Sequence, residues 1–144
     1  MVNIEFGELN NIFVLMQQTE DKIQGDFVKK CHNELPQTRK LIFSVPNGGK
    51  RDQITASILN STGLVKGIPD ICFLWAGKVY WIEFKTPEGV LSKEQKEVHS
   101  KVNEAGFKVW VFRSSEEAFS FVSSICSGEY NPVMFYRFLS PYCK

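Results

Sequence analysis

Metal-binding cysteine patterns are missing from this sequence. Its four cysteines, Cys31, Cys72, Cys126 and Cys143, form no C-x-x-C and no tight pair, so neither a zinc knuckle nor a disulfide framework is spelled out. Reduced thiols in a cytosolic protein are the expectation. A long apolar run is lacking as well: residues 12–16 are far too few to span a bilayer, and no basic leader with a small-residue cleavage site accompanies them. Neither export nor membrane insertion is indicated. Charge of one sign is also scarce. With a formal net charge of only +1, any surface for a polyanion has to arise from local clustering. Repeats, low-complexity tracts and linkers are absent too.

What is there is material for a core. The chain has 144 residues, 43% of them hydrophobic and twelve of them phenylalanine, which is remote from the composition of disordered chains. One domain over residues 1–144 is the expectation. Basic residues pair at Lys29 and Lys30, Arg39 and Lys40, and Lys50 and Arg51, with Lys66 near the acidic candidates below; a solvated mixed surface looks the same.

Along the chain, residues 12–16 fit a buried strand or part of a helix equally well. Thr19 is placed to cap a helix, Glu20 and Asp21 suit its first-turn dipole, and Ile23, Phe27 and Cys31 follow at four-residue spacing. Gly25 weakens that helix by about 1 kcal/mol relative to alanine, and Pro36 lies beyond its end. Residues 40–45 read as a strand, followed by the turn-rich Pro46-Asn47-Gly48-Gly49-Lys50-Arg51. Asp52 would cap a short helix with Ile54, Ile58 and Leu59 as its apolar stripe, and Gly63 would stop it.

Residues 71–75 and 79–85 are rich in β-branched and aromatic side chains and are separated by Ala76-Gly77, which predicts a two-residue hairpin. That turn sets Asp70 opposite Glu83, and period-two alternation puts Glu83 and Lys85 on one face. Ser92 and Gln95 then form a capping box for a helix with Val98, Val102 and Ala105 inward and Gly106 as its stop. A strand over residues 107–112 follows. Ser114 and Glu117 open a last helix lined by Ala118, Phe121, Val122 and Ile125 and ended by Gly128. The aromatic tail after Asn131 has no clear period. An element order αβα-ββ-α-β-α results.

Asp70, Glu83 and Lys85 carry the chemistry. Phosphodiester hydrolysis needs a divalent cation on hard oxygen ligands, an activated water and stabilisation of the phosphorane, and two facing carboxylates with a lysine supply these parts. A turn residue and two solvent-facing strand residues would show the same spacing. Against that stands Trp81-Ile82-Glu83-Phe84-Lys85, where two charges sit in a strongly apolar strand and need a partner or a cleft.

Pro69-Asp70 with Glu83-Phe84-Lys85 matches the PD-(D/E)xK nuclease signature, and the surrounding text resembles the VRR-NUC family of virus-type replication-repair nucleases. Val45-Pro46-Asn47-Gly48-Gly49, Arg51, Gly67-Ile68, Thr86-Pro87, Gly89, Leu91-Ser92, Gln95 and Gly106 extend the likeness over roughly residues 19–125, leaving an N-terminal extension and the aromatic tail outside it. The resemblance implies an α/β, restriction-endonuclease-like core with a central mixed β-sheet flanked by helices. It also implies DNA hydrolysis supported by Mg²⁺ or Mn²⁺. Small virus-type members look like homodimeric endonucleases on branched DNA such as Holliday junctions, so both properties are implied here; a DNA-binding module that has lost its chemistry is the alternative.

Carried over by residue, the resemblance makes Asp70 and Glu83 metal ligands together with the Phe84 backbone carbonyl, and Lys85 catalytic. Glu20 matches the acidic position of the family's first helix, although a helix-dipole role also fits. Gln95 matches the family glutamine and competes with its own capping role. His99 lies one turn beyond Gln95, but with no second histidine nearby a surface or structural histidine is the preferred reading. Asn47, Gly48, Gly49, Lys50, Arg51 and Lys66 are the candidate DNA contacts, the loop being a strand-to-helix turn in any case. The tail would either supply a dimer interface or pack over the sheet edge.

Overall fold

The computed structural model describes residues 19–47 and 53–143. The expectations for residues 12–16, for Asp52 as a cap, and for Gly48, Gly49, Lys50 and Arg51 as DNA contacts fall outside the described residues.

Helix α1 spans Glu20–Glu34, and the Thr19 hydroxyl accepts from the Lys22 N–H at 3.2 Å, as its capping position requires. Ile23, Phe27 and Cys31 are its buried face. After a 3₁₀ turn over Pro36–Thr38 comes β1, Ile42–Ser44. It is shorter than residues 40–45 because Lys40 adopts φ 67°, a left-handed backbone that cannot belong to a strand. Helix α2 covers Gln53–Ser61, with Gly63 at φ 100° just past its end. Its stripe differs from expectation. Ile54 and Ile58 are exposed and no residue of the helix is buried, while Ala56 and Leu59, three apart, are the half-covered pair. Only a narrow edge of the helix is therefore covered, with Leu59 as its one large apolar contact.

Strands β2, Ile71–Trp75, and β3, Lys78–Phe84, form the expected hairpin. Ala76 at φ 47° and Gly77 at φ 75° give two successive left-handed residues, the backbone of the tight turn that matches strand twist. The register pairs Ile71 with Ile82 and Trp75 with Lys78, as predicted. Helix α3, Lys93–Glu104, crosses over to β4, Val109–Phe112, which lies parallel to β3 with Glu83 beside Val111. Helix α4 spans Ser115–Ser127, and Gly128 at φ 76° ends it. The sheet order is β1-β2-β3-β4, antiparallel except for the last pair. This mixed sheet between helices is the restriction-endonuclease-like α/β core.

One sheet face is apolar. Tyr80, Ile82 and Phe84 of β3 join Ile23 and Phe27 of α1 and Phe121, Val122 and Ile125 of α4 in one buried cluster. Phe121 sits at its centre, with ring centroids 4.9 Å from Trp110 and 5.3 Å from both Phe112 and Phe135. The tail belongs to this cluster. A short α5, Pro132–Phe135, and a 3₁₀ turn, Tyr136–Phe138, bring Phe135 and Phe138 against it. Leu139 then bridges to Trp110 and the Ser140 N–H donates to the Val109 carbonyl at 2.9 Å, so the tail closes the edge of β4. No described helix is long and apolar enough to cross a membrane.

Helix α3 covers the opposite face and corrects the expectation for its stripe. Val98 and Val102 are only half-buried and Ala105 is exposed; the buried residue is His99. The reason lies beneath the helix, where β3 presents Glu83, a carboxylate that requires polar neighbours.

Candidate active site

Two devices fix the loop that delivers Asp70. Gly67, at φ +86°, lies so close to α3 that a Cβ would stand 2.6 Å from the Glu94 carbonyl carbon, so only glycine fits there. Asn47 clamps the same loop: its amide donates to the Ile68 carbonyl at 2.8 Å and accepts from the Gly67 N–H at 3.3 Å. Asp70 emerges one residue before β2, and its Oδ2 accepts from the Phe84 N–H at 2.7 Å. Register thus brings Asp70, Glu83 and the Phe84 peptide together, as the sequence predicts.

Glu83 is fully buried. Its Oε1 accepts from Gln95 Nε2 and stands 3.2 Å from Lys85 Nζ. Lys85 is itself 5% exposed, and its ammonium donates to Glu20 at 3.0 and 3.1 Å from the two carboxylate oxygens. Glu20, the first residue of α1, therefore reaches the site across 65 positions of sequence. Gln95 uses the two ends of its amide for different partners. Its Oε1 accepts from the Ser92 N–H at 2.9 Å, completing the capping box, while its Nε2 holds Glu83.

The charges shape each other. Burial, and then repulsion from Glu83, push the Asp70 carboxyl up to about 7, against the lowering effect of the Phe84 N–H. For Lys85, burial alone would lower the pKa, but Glu83 and Glu20 outweigh it and hold the ammonium above the ordinary lysine range. The ammonium is thus held between the two carboxylates.

The donor chemistry fits a hard dication. Among the described residues no three histidine, cysteine, aspartate or glutamate side chains form a ready cage. Two carboxylates and a peptide oxygen are instead the set that suits Mg²⁺, which keeps several of its waters. The mutual repulsion felt by Asp70 marks a place where added positive charge is favoured.

Of the expected DNA contacts, Asn47 and Lys66 lie among the described residues. Lys66 is exposed and pairs with Glu94 at 3.3 Å, on the first turn of α3 beside Gln95. Asn47 spends both ends of its amide on the Asp70 loop. A cavity of about 820 Å³ lies elsewhere, between α1 and β1, and takes in none of Glu20, Asp70, Glu83 or Lys85.

Sequence reasoning missed two residues. Arg113 donates to the Thr86, Pro87 and Gly89 carbonyls, folding the loop that follows Lys85. Its signal was present, because Arg113 follows Phe112, the register partner of Phe84. Ser140 is the other: its Oγ lies 2.8 Å from His99 Nδ1, a contact between tail and helix that no local pattern encodes. His99 is buried rather than at the surface.

The model of the VRR-NUC domain matches residues 18–116, more than half of the chain. The chain belongs to the VRR-NUC family, a nuclease-type family. Neither a curated protein nor a solved structure matches.

Proposed function

We propose that this protein is a Mg²⁺- or Mn²⁺-dependent deoxyribonuclease of the PD-(D/E)xK type, an endonuclease that cuts branched DNA as a homodimer. The observation that carries this reading is the burial of Glu83 and Lys85 in register with Asp70, inside a VRR-NUC domain. Asp70, Glu83 and the Phe84 carbonyl would hold the cation, which when bound supplies Lewis-acid polarisation and an acidified water.

The chain's own groups do the rest. Gln95 fixes the rotamer of Glu83 by holding its Oε1. Glu20 and Glu83 keep the Lys85 ammonium protonated and aimed between them. A buried point charge so placed orients the attacking water and stabilises the charge that builds on the phosphoryl oxygens. Lys66, at the N-terminal turn of α3, is available to the DNA backbone. With a formal net charge of +1, one chain has little cationic surface, and a two-fold pair doubles it while presenting two sites to a symmetric branch.

Cleavage of linear, nicked and four-way DNA with and without Mg²⁺ tests the proposal. Asp70→Asn and Glu83→Gln are expected to abolish cleavage with the fold intact. Lys85→Ala is expected to lose on the order of 10²-fold in single-turnover rate with a much smaller loss of DNA affinity. Full activity in excess EDTA sinks the metal assignment, tight binding without cleavage by the wild type points to a binding module, and strictly monomeric light scattering removes the paired-cut model.

A further inference from the structure

Two buried side-chain atoms have no hydrogen-bond partner among the described residues, Glu83 Oε2 and His99 Nε2, and they face each other at 3.8 Å. Leaving both unpaired would be costly. Their separation exceeds a direct hydrogen bond by under about 1 Å, a shift that a side chain can make. The other ring nitrogen, Nδ1, lies 2.8 Å from the Ser140 hydroxyl. If that hydroxyl donates, Nδ1 is the acceptor and the neutral ring carries its proton on Nε2, aimed at Glu83.

The tail is built to hold Ser140 there. Its N–H donates to the Val109 carbonyl at 2.9 Å, and Cys143 Sγ, three residues on, accepts from the Val109 N–H at 3.4 Å and donates to the His99 carbonyl at 3.5 Å. Both ends of the contact are buried, Ser140 at 1% exposure and His99 at 0%. These residues lie partly beyond the matched domain, since Ser140 and Cys143 follow residue 116.

We propose that Ser140 sets the tautomer of His99 and that His99 is thereby a positioning residue for Glu83, making the C-terminal tail a working part of the active site. The proposal rests on the reading of Glu83 as a metal ligand. Gln95 and Lys85 both occupy Oε1, so with His99 on one lone pair of Oε2 the second lone pair of that oxygen is the one left for Glu83 to ligate with. What the pair of bonds supplies is a single orientation of the carboxylate before the cation arrives.

The test uses the full chain. Nitrogen-15 spectra of the metal-free protein are expected to show His99 with a protonated Nε2 and a bare Nδ1; a neutral ring protonated on Nδ1 overturns the proposal. Titration with Mn²⁺ alone, followed by calorimetry, gives the second readout. Ser140→Ala and His99→Leu are expected to weaken Mn²⁺ binding about tenfold or more, and His99→Gln, which can still donate near the Nε2 position, is expected to restore most of it. If His99→Leu does not fold, Ser140→Ala carries the measurement, since it keeps the ring in place. Mn²⁺ affinity unchanged in a folded Ser140→Ala, or no rescue by His99→Gln, refutes the positioning role alone. A wild-type protein that neither binds Mn²⁺ nor cleaves DNA refutes the nuclease reading together with it.

Discussion

Helices α3 and α4 begin alike and end up doing opposite things. Each starts at a serine whose hydroxyl accepts from the N–H three residues on, Ser92 from Gln95 and Ser114 from Glu117, and each is followed by a glycine with positive φ. Yet α4 turns Ala118, Phe121, Val122 and Ile125 into the apolar core, whereas α3 buries His99 and directs Gln95 at Glu83. The difference comes from the strand between them. β3 shows Tyr80, Ile82 and Phe84 to one side and Glu83 to the other, so one helix supplies dispersion and hydrophobic burial while the other must supply hydrogen bonds. One face is held by apolar packing; the other is held by hydrogen bonds and ion pairs around a buried carboxylate.

The largest test of that division is Phe121→Ala. Loss of a fully buried ring packed against Tyr80, Trp110, Phe112, Tyr130 and Phe135 is expected to cost about 3–5 kcal/mol in denaturant unfolding, with cleavage per folded molecule retained. A small loss, or a specific loss of turnover, would break the comparison.

The polar face makes its prediction through pH. Burial and the Glu83 carboxylate push Asp70 up to about 7 from its ordinary 3.8, so between these values the native state binds more protons than the unfolded chain. Stability from this group is complete below about pH 4 and is lost as pH rises through 7. In the metal-free protein the melting temperature should therefore fall across that window, and Asp70→Asn should flatten the fall. Equal slopes in the two proteins would mean that Asp70 is not strained by its neighbours.

Gly67→Ala should follow in size. The added methyl meets α3 backbone at 2.6 Å and the φ of +86° disfavours any side chain, so a loss of about 1–3 kcal/mol is expected, with cleavage falling further as the Asp70 loop leaves Gln95.

The smallest effect compares the caps directly. Ser114→Ala and Ser92→Ala should each cost about 1 kcal/mol, but only Ser92→Ala should also slow cleavage, because its capping partner Gln95 holds Glu83. Equal turnover in both variants would separate the capping box from the site.

The hairpin was legible because its register is local. A two-residue turn at Ala76-Gly77 fixes every pairing outward from it, which is how the juxtaposition of Asp70 with Glu83 and the common face of Glu83 and Lys85 followed from spacing alone. The caps at Thr19, Ser92 and Ser114 and the buried stripes of α1 and α4 were legible for the same reason: each depends on residues within two turns of one another.

Glu20 was placed at the site by the family likeness, and no periodicity in the chain could have set its carboxylate on Lys85. The inward face of α3 was misread because a search for apolar periodicity assumes that whatever is buried is apolar, and of the stripe read for α2 only Leu59 is covered because nothing of that helix is buried. Ile54 and Ile58 are exposed, and His99 is buried over a carboxylate. The tail was decided by tertiary structure altogether. Phe135 and Phe138 find the core, and Ser140 finds His99, across 41 residues. Contacts of that span depend on where the sheet edge lies after folding, and a short irregular segment carries no repeat from which that position can be read.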